Sequence, residues 1–341
     1  MGSRGSLSPF PPGILFFRFF GYCLLTGVLE VSLSFGQQAT RYRDEIFPDV
    51  RINRDIQYGS DSELLLDLYT GVGDTASNRP AIVFIHGGGF ISGDKVTRFG
   101  SRSCTWFAKR GYVVVSINYR LMKEIPNDTV HFEAMLRGMQ DAKAAIRFMR
   151  RKAGTYRVDT TQIFAMGSSA GSIIALHLAY LDSTEVPLWV NWNVLGGTFE
   201  GARGNPGYSS AINGVINNWG AIGDTSWIQK GDVPVYCTHG EKDTVVSYNQ
   251  VPADGPFRFG SKFIIQRAQT RQILHGLRVF PQTGHTLDNN ASKQVSALND
   301  MGTWLESLLL HRGHHPSMGE SHRINTEKQG IHSRQQTSVE E

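Results

Sequence analysis

The sequence predicts an α/β fold: a mostly parallel, doubly wound sheet with helices on both faces and no large cap domain. Three observations carry that expectation. Short apolar runs rich in β-formers recur at residues 81–85, 112–119, 163–166, 235–238 and 277–280. Segments with the helical period lie between and after them, as at 131–152, 172–180 and 291–310. Several of the runs lead directly into loops that carry Gly, Ser, Asp or His, which is how parallel strands gather functional groups at one edge.

Taken in order, residues 64–69 read as an early strand followed by a turn-rich stretch from Gly71 to Pro80. Residues 81–85 follow Pro80, which can start a strand but not sit in mid-sheet. Residues 112–119 are a strong central strand by their β-branched content. In 131–152, Phe132, Met135, Leu136, Met139, Ala142, Ala145, Ile146 and Met149 fall on one helical face, so Met139 and Met149 are core packing. Residues 163–166 are long enough for a buried strand and too short for a helix, and 172–180 read as a mostly buried helix. The stretch 196–232 is rich in Gly, Asn and Ser, with Tyr208, Trp219 and Trp227 as its large aromatics; its best helix candidate runs from Ser209 to about Ile222. Residues 291–310 read as the closing helix, with Val295, Leu298, Met301, Trp304, Leu305 and Leu308 on its apolar side, and no internal repeat is visible.

Two short motifs carry chemistry. Gly167-Ser168-Ser169-Ala170-Gly171 stands between a strand and a helix, the context of a sharp turn that exposes a nucleophilic serine. Upstream, His86-Gly87-Gly88-Gly89-Phe90 follows a strand, and such a glycine loop can aim backbone N–H groups at a developing oxyanion. Phosphate binding fails on particular residues: a dinucleotide loop needs glycine where Ser92 stands, and a phosphate loop counted from Gly88 to Gly93 then meets Asp94 instead of lysine. A serine nucleophile needs a base and an orienting carboxylate, in the chain order Ser, Asp or Glu, His on this type of sheet. Asp243 follows the strand at 235–238, and His285 follows the strand at 277–280. Glu241 is the rival carboxylate in the same loop. His239 reads as a residue closing its strand, His86 as a brace for the glycine loop, and His177 as a hydrogen-bonded core histidine.

Residues 50 to 310 resemble an α/β-hydrolase of the carboxylesterase and hormone-sensitive-lipase-like (BD-FAE-like) type. The matching motifs are His86-Gly87-Gly88-Gly89-Phe90, Tyr119-Arg120-Leu121, Gly167-Ser168-Ser169-Ala170-Gly171, His239-Gly240-Glu241-Lys242-Asp243 and Gly284-His285. The resemblance implies Ser169 as nucleophile, His285 as general base and then acid, and Asp243 as the orienting acid. It maps the oxyanion-holding amides onto Gly88, Gly89 and Ala170, with Gly87 a further candidate. It implies a serine ester hydrolase that uses no cofactor. The chain departs from the full lipase-like pattern in showing no long amphipathic lid and no helical cap before the first strand. That favours short acyl esters, or esters on a carbohydrate or aromatic group, over long-chain lipids; Trp219 is a candidate to line the cleft, with core packing as its alternative. An amidase or peptidase would use the same three residues. A non-catalytic binding protein on this scaffold is disfavoured, because all three positions are filled.

Length and composition bound the remainder. With 341 residues, 40% hydrophobic and 19% charged, the chain fits one large domain over 37–310 plus tails. A net charge of +4 and the lack of a basic run with interleaved aromatics give nucleic-acid binding no support. Arg4 and Arg18 precede an uncharged, largely apolar stretch at 19–29, which suits a secretory signal over 1–36 cut before Gln37; an uncleaved anchor is the alternative, and only that case implies a membrane. After such a cut Cys104 and Cys237 remain, too few for a disulfide framework; Cys237 reads as a buried small hydrophobe. Residues 311–341 are polar, so disorder is expected there, and their five histidines fit no named zinc motif. Within the body there is neither a zinc helix motif nor a calcium loop, so no metal site is expected. Asn127 and Asn290 begin glycosylation sequons, the second close in sequence to His285.

Overall fold

The computed structural model describes residues 40–249 and 255–312. The expected signal at 1–36 and the tail beyond 312 lie outside the described residues. Eight strands form one sheet: β1 (Val50–Gln57), β2 (Leu65–Gly71), β3 (Arg79–Ile85), β4 (Val113–Ile117), β5 (Val158–Ser168), β6 (Val215–Asn218), β7 (Val235–Gly240) and β8 (His275–Phe280). Their order is β1-β2-β4-β3-β5-β6-β7-β8. β1 pairs with β2, and β2 with β4, in antiparallel fashion; from β4 onward every pairing is parallel. The helices are α1 (Arg98–Ala108), α2 (Asp128–Arg151), α3 (Ala153–Tyr156), α4 (Ala170–Tyr180), α5 (Trp192–Leu195), α6 (Ser261–Thr270) and α7 (Ala291–Arg312). This is the doubly wound sheet the sequence predicts.

The central strands β3 and β4 are buried on both faces, so their sequences read as nearly continuous apolar runs. Alternate residues feed two separate cores. On one face, Ala81, Val83, Ile85, Val113, Val115, Ile117, Ile163, Ala165, Val215 and Val235 pack against α2, α4 and α6. On the other, Ile82, Phe84, Val114, Phe164, Met166, Ile216 and Tyr236 pack against α1 and α7 through Phe99, Phe107, Leu298, Met301 and Leu305. Cys104 belongs to the second core and Cys237 to the first; both are free and buried, and the sheet keeps them apart. Burial pushes the Cys237 thiol up to about 12, which fits its reading as a small hydrophobe.

The region after α4 overturns one expectation and decides between two readings of another. The helix expected over 209–222 is instead the four-residue strand β6, Val-Ile-Asn-Asn, fully buried between β5 and β7. Asparagine disfavours strands in general, but both side chains find buried partners here, and tertiary contacts override propensity. Trp219, a candidate to line the cleft with core packing as its alternative, is a core residue: it is 1% exposed and lies against Phe99 with ring centroids 4.7 Å apart. Its position one residue past β6 turns the ring down into the α1 side of the sheet. The edge strand β1 is also new, and its half-exposed, charge-rich sequence explains why no apolar run marks it.

Close backbone approach fixes where β5 and α4 meet. A Cβ on Gly167 would stand 2.2 Å from the Gly171 carbonyl, and one on Gly171 only 2.0 Å from the carbonyl oxygen of Ile85. Two turns into α4, His177 is fully buried; its Nδ1–H donates to Ile173 O at 2.7 Å and its Nε2 accepts the Gly223 N–H at 3.3 Å. Burial pushes it down to about 4, against the smaller upward effect of the Ile173 carbonyl, so it is a neutral core histidine as expected.

Two outcomes follow. Gly171→Ala must displace backbone, and thermal unfolding should show a loss of about 3 kcal/mol or more, at the upper end of overpacking effects; an unchanged melting temperature would contradict the contact. The unfolded chain takes up the His177 proton at the ordinary value of 6.5 and the folded chain only near 4. Stability should therefore fall as pH is lowered through that window, with about 3 kcal/mol of the loss due to this group. A His177→Leu variant, compared by urea unfolding across the same pH range, should have a correspondingly shallower slope.

Candidate active site

The sheet register brings the candidate residues to one edge. Ile85 pairs with Gly167, Ser168 with Asn218, Asn218 with Thr238, and Gly240 with Phe280, so β3, β5, β6, β7 and β8 end side by side. Ser169 sits between β5 and α4 with φ 53° and ψ −123°, a backbone conformation that costs about 1–3 kcal/mol for a residue with a side chain. Hydrogen bonds to the end of β6 hold it. The Ser169 N–H donates to Asn218 O at 2.9 Å, and the Ser172 hydroxyl donates to the same carbonyl at 3.0 Å. The Asn218 amide Nδ2 donates to Gly167 O at 2.7 Å, and the Asn218 N–H to Ser172 Oγ at 2.8 Å. Asn218 thus clamps both sides of the turn. Sequence reasoning missed it, and its signal was two polar residues closing a short Val-Ile run.

His285 opens a 3-10 turn, His285–Asn289, in which Thr286, Leu287, Asp288 and Asn289 all have positive φ. Such a run is unfavourable for L-residues and needs external support. Asp288 Oδ1 accepts the Gly284 N–H at 2.8 Å, while Lys293 Nζ donates to Asp288 Oδ2 at 3.0 Å and to Thr283 Oγ1 at 2.8 Å. Gln294 Nε2 donates to Thr286 O at 3.0 Å, and Arg102 donates to the same glutamine from α1. The buried Leu287 side chain completes the anchor. The imidazole then stands with Nε2 3.0 Å from Ser169 Oγ and Nδ1 2.7 Å from Asp243 Oδ2.

Asp243 lies three residues beyond β7 in a tight turn. Its Oδ1 accepts the N–H groups of Val245 and Val246, each at 2.9 Å, and its Oδ2 receives His285. His239 Nε2 lies 3.4 Å from Oδ2, with both side chains shielded from solvent. Burial alone would raise this carboxyl; hydrogen bonds from His239 and His285, the His285 charge and the Val246 amide outweigh it and hold the group far below the usual carboxylate range. Glu241, the rival carboxylate, points elsewhere and accepts the Gln282 N–H at 3.2 Å.

The glycine loop packs directly on the nucleophile turn: a Cβ on Gly87 would stand 2.9 Å from Ser168 O and 3.1 Å from Ser169 Cβ. Gly88 at φ 119° and Gly89 at φ 61° turn the chain, and Gly88 O accepts the N–H groups of Ile91 and Ser92. His86 braces the loop as expected. Its Nδ1–H donates to Gly87 O at 2.6 Å, its ring stacks on Tyr119 at 4.4 Å, and the Tyr119 hydroxyl donates to His86 O at 3.1 Å. The N–H groups of Gly88, Gly89 and Ala170 carry no backbone hydrogen bond among the described residues. Beside the loop stands an aromatic wall: the Phe257 ring lies 5.9 Å from Phe90, 4.9 Å from His131 and 5.2 Å from His177. Among the described residues no group of His, Cys, Asp and Glu has the arrangement of a metal site.

The BD-FAE family model matches residues 66–223, which include the glycine loop and Ser169. A probable isoprenylcysteine alpha-carbonyl methylesterase of Oryza sativa subsp. japonica is 33% identical over 125 residues, covering 37% of this chain and 28% of that protein. The isoprenylcysteine alpha-carbonyl methylesterase of Arabidopsis thaliana is 29% identical over 152 residues, covering 45% and 30%. The chain therefore spans less than a third of the length of these curated relatives. Among solved structures, a truncated carbohydrate esterase from gut microbiota aligns with a TM-score of 0.56 at 19% identity, covering 78% of this chain and 98% of that one. A thermophilic esterase of Thermogutta terrifontis aligns at 0.52 with 22% identity, covering 82% and 98%. These two likenesses bear on the fold. Sheet order and the turn at Ser169 give the chain an α/β-hydrolase fold, and over residues 66–223 it is similar to the BD-FAE family.

Proposed function

We propose that the protein is a serine hydrolase that cleaves carboxylic esters through an acyl-enzyme on Ser169. The observation that carries this reading is the continuous line Ser169 Oγ, His285 Nε2, His285 Nδ1, Asp243 Oδ2, with spacings of 3.0 and 2.7 Å. His285 Nε2 takes the Ser169 hydroxyl proton as Oγ attacks the ester carbonyl carbon. The carbonyl oxygen becomes an oxyanion, received by the amides of Gly88, Gly89 and Ala170, each worth about 3 kcal/mol by comparison with removal of single oxyanion donors. As the tetrahedral intermediate collapses, His285 returns the proton to the leaving alcohol oxygen and the acyl–oxygen bond breaks. Water then repeats the sequence: His285 removes its proton, hydroxide adds to the acyl carbon, and Ser169 leaves with the proton while the acid departs. Asp243, held ionised, supports the imidazolium at each stage.

The substrates proposed are small esters with short acyl chains, or acyl groups carried on carbohydrate or aromatic alcohols. Supporting this are the half-buried rings of His131 and Phe257 near the glycine loop and the lack of any long lid helix among the described residues. The relatives named as methylesterases and a carbohydrate esterase agree with an ester substrate. The apolar stretch at 19–29 supports secretion, with membrane anchoring as its alternative.

Purified protein is expected to hydrolyse p-nitrophenyl acetate and butyrate faster than longer esters. Ser169→Ala should reduce turnover to background while leaving the unfolding transition in place. Asp243→Asn should lower kcat by about 10⁴-fold, the loss seen when a triad carboxylate is neutralised. Faster cleavage of matched anilides than of esters would instead select the amidase reading, and an active Ser169→Ala variant would remove Ser169 as nucleophile.

A further inference from the structure

We infer that His239 is a positioning residue for the Asp243 carboxylate, and that a buried chain of polar groups behind the sheet edge, Asn217–Ser261–His239, sets its tautomer. The inference rests on the serine-hydrolase reading and adds a residue to it. His239 is fully buried at the end of β7, four residues before Asp243. Two acceptors face its Nε2: Val246 O at 2.9 Å and Asp243 Oδ2 at 3.4 Å. No acceptor can be satisfied by an unprotonated nitrogen, so the proton sits on Nε2. The opposite nitrogen, Nδ1, lies 2.7 Å from Ser261 Oγ, whose hydroxyl therefore donates to it. Ser261 Oγ in turn accepts from Asn217 Nδ2 at 3.0 Å, and Asn217 Oδ1 is fixed by the Gly220 N–H at 2.8 Å. Asn217 Nδ2 also donates to Cys237 Sγ at 3.3 Å, so its amide is held from two sides.

The consequence falls on Asp243. Its Oδ1 is held by two amides of its own turn, which leaves Oδ2 to serve His285. The Nε2–H of His239 closes the far side of Oδ2 and, through Val246 O, pins the turn that carries those amides. Without it Oδ2 keeps His285 as its one side-chain partner and Val246 O loses its bond to β7, so the turn whose amides hold Oδ1 can shift and carry the carboxylate with it. His239 touches no reacting atom, so its effect must pass through Asp243 and His285, as it does for groups that orient a ligand from behind. Ordinary core histidines lack this pattern: His177 meets only backbone groups at its two nitrogens.

The test is ester kinetics on the full-length protein, with kcat expressed per active serine from the end point of titration with an organophosphate. Wild type and Ser169→Ala are run first, and only Ser169-dependent turnover lets the comparison proceed; its absence overturns the hydrolase reading itself. His239→Ala is then expected to lower kcat by about 10- to 100-fold with KM within about twofold, the range typical of supporting residues behind a site. His239→Gln, which keeps an N–H near the Nε2 position, should recover most of kcat, as should added imidazole with the alanine variant. Ser261→Ala, which frees the tautomer without emptying the site, should lower kcat in the same direction by a smaller factor. If His239→Ala fails to fold, the Gln and Ser261→Ala variants decide alone. Unchanged kcat per titrated serine in whichever variants fold, with only the melting temperature lowered, would overturn the positioning role.

Discussion

Backbone contact at the head of α4 is the constraint on which the candidate site depends. Gly171 packs onto the carbonyl oxygens of Ile85 and His86, and Gly87 packs onto Ser168 and Ser169. One close approach therefore sets two things at once: the strained φ of Ser169 and the position of the glycine-loop amides beside it. A side chain at Gly171 would push α4 off β3, and Ser169 and the glycine-loop N–H groups would separate together. The strain at Ser169 is held by pairing rather than by apolar packing, since Asn218 receives its N–H and ties Gly167 and Ser172 to the end of β6. Each of these groups is buried, and a missing partner would cost the full desolvation of the other.

The candidate acid and base, Asp243 and His285, arrive from strands farther along the sheet. β6 lies between β5, which carries Ser169, and β7, which leads to Asp243, so the gap the histidine must bridge is fixed by strand spacing. Reaching back across that gap requires the left-handed turn after His285, and Asp288, Lys293 and Gln294 are what hold it. Asp243 shows which physical effect wins. Burial opposes its charge, yet hydrogen bonds and the neighbouring histidines lower it well below its ordinary value of 3.8. Its contribution to stability is full above that value and is lost as pH falls through the lowered one. The buried His177 acts in the same acid direction but at higher pH, so the fold loses support from α4 before Asp243 takes up a proton.

Much of this was legible in the sequence because it depends on local pattern. Gly167 to Gly171 and His86 to Phe90 could be read since close approach and positive φ demand glycine at particular offsets. Asp243 and His285 could be read because they follow apolar runs at the strand ends. What was hidden depends on partners distant in sequence. β6 has only four residues, two of them asparagines whose strand conformation is bought by bonds to Gly167 and Ser261. Trp219 is an aromatic in a glycine-rich loop, and nothing local distinguishes a core ring from a cleft ring. His239 could be placed at a strand end, but its contact with Asp243 exists only because the turn folds back on β7.

Four histidines on or just beyond the strands and α4, His86, His177, His239 and His285, have partners that decide which can act as a base. His177 has Nδ1 committed to Ile173 O and Nε2 to the Gly223 N–H, and burial drives it neutral. His86 donates to Gly87 O and stacks on Tyr119, and burial again lowers its affinity for a proton. His239 has both nitrogens occupied by groups that never leave, Ser261 on one side and Val246 with Asp243 on the other. His285 differs in both respects that matter: its side chain is 18% exposed, and one nitrogen faces a hydroxyl while the other faces a carboxylate. Accepting a proton from Ser169 leaves His285 with a counter-charge at 2.7 Å; protonating any of the other three would break an existing bond or place charge in the core. The residue type is common to all four, and the capacity to move a proton comes from where the sheet register and the left-handed turn put one of them.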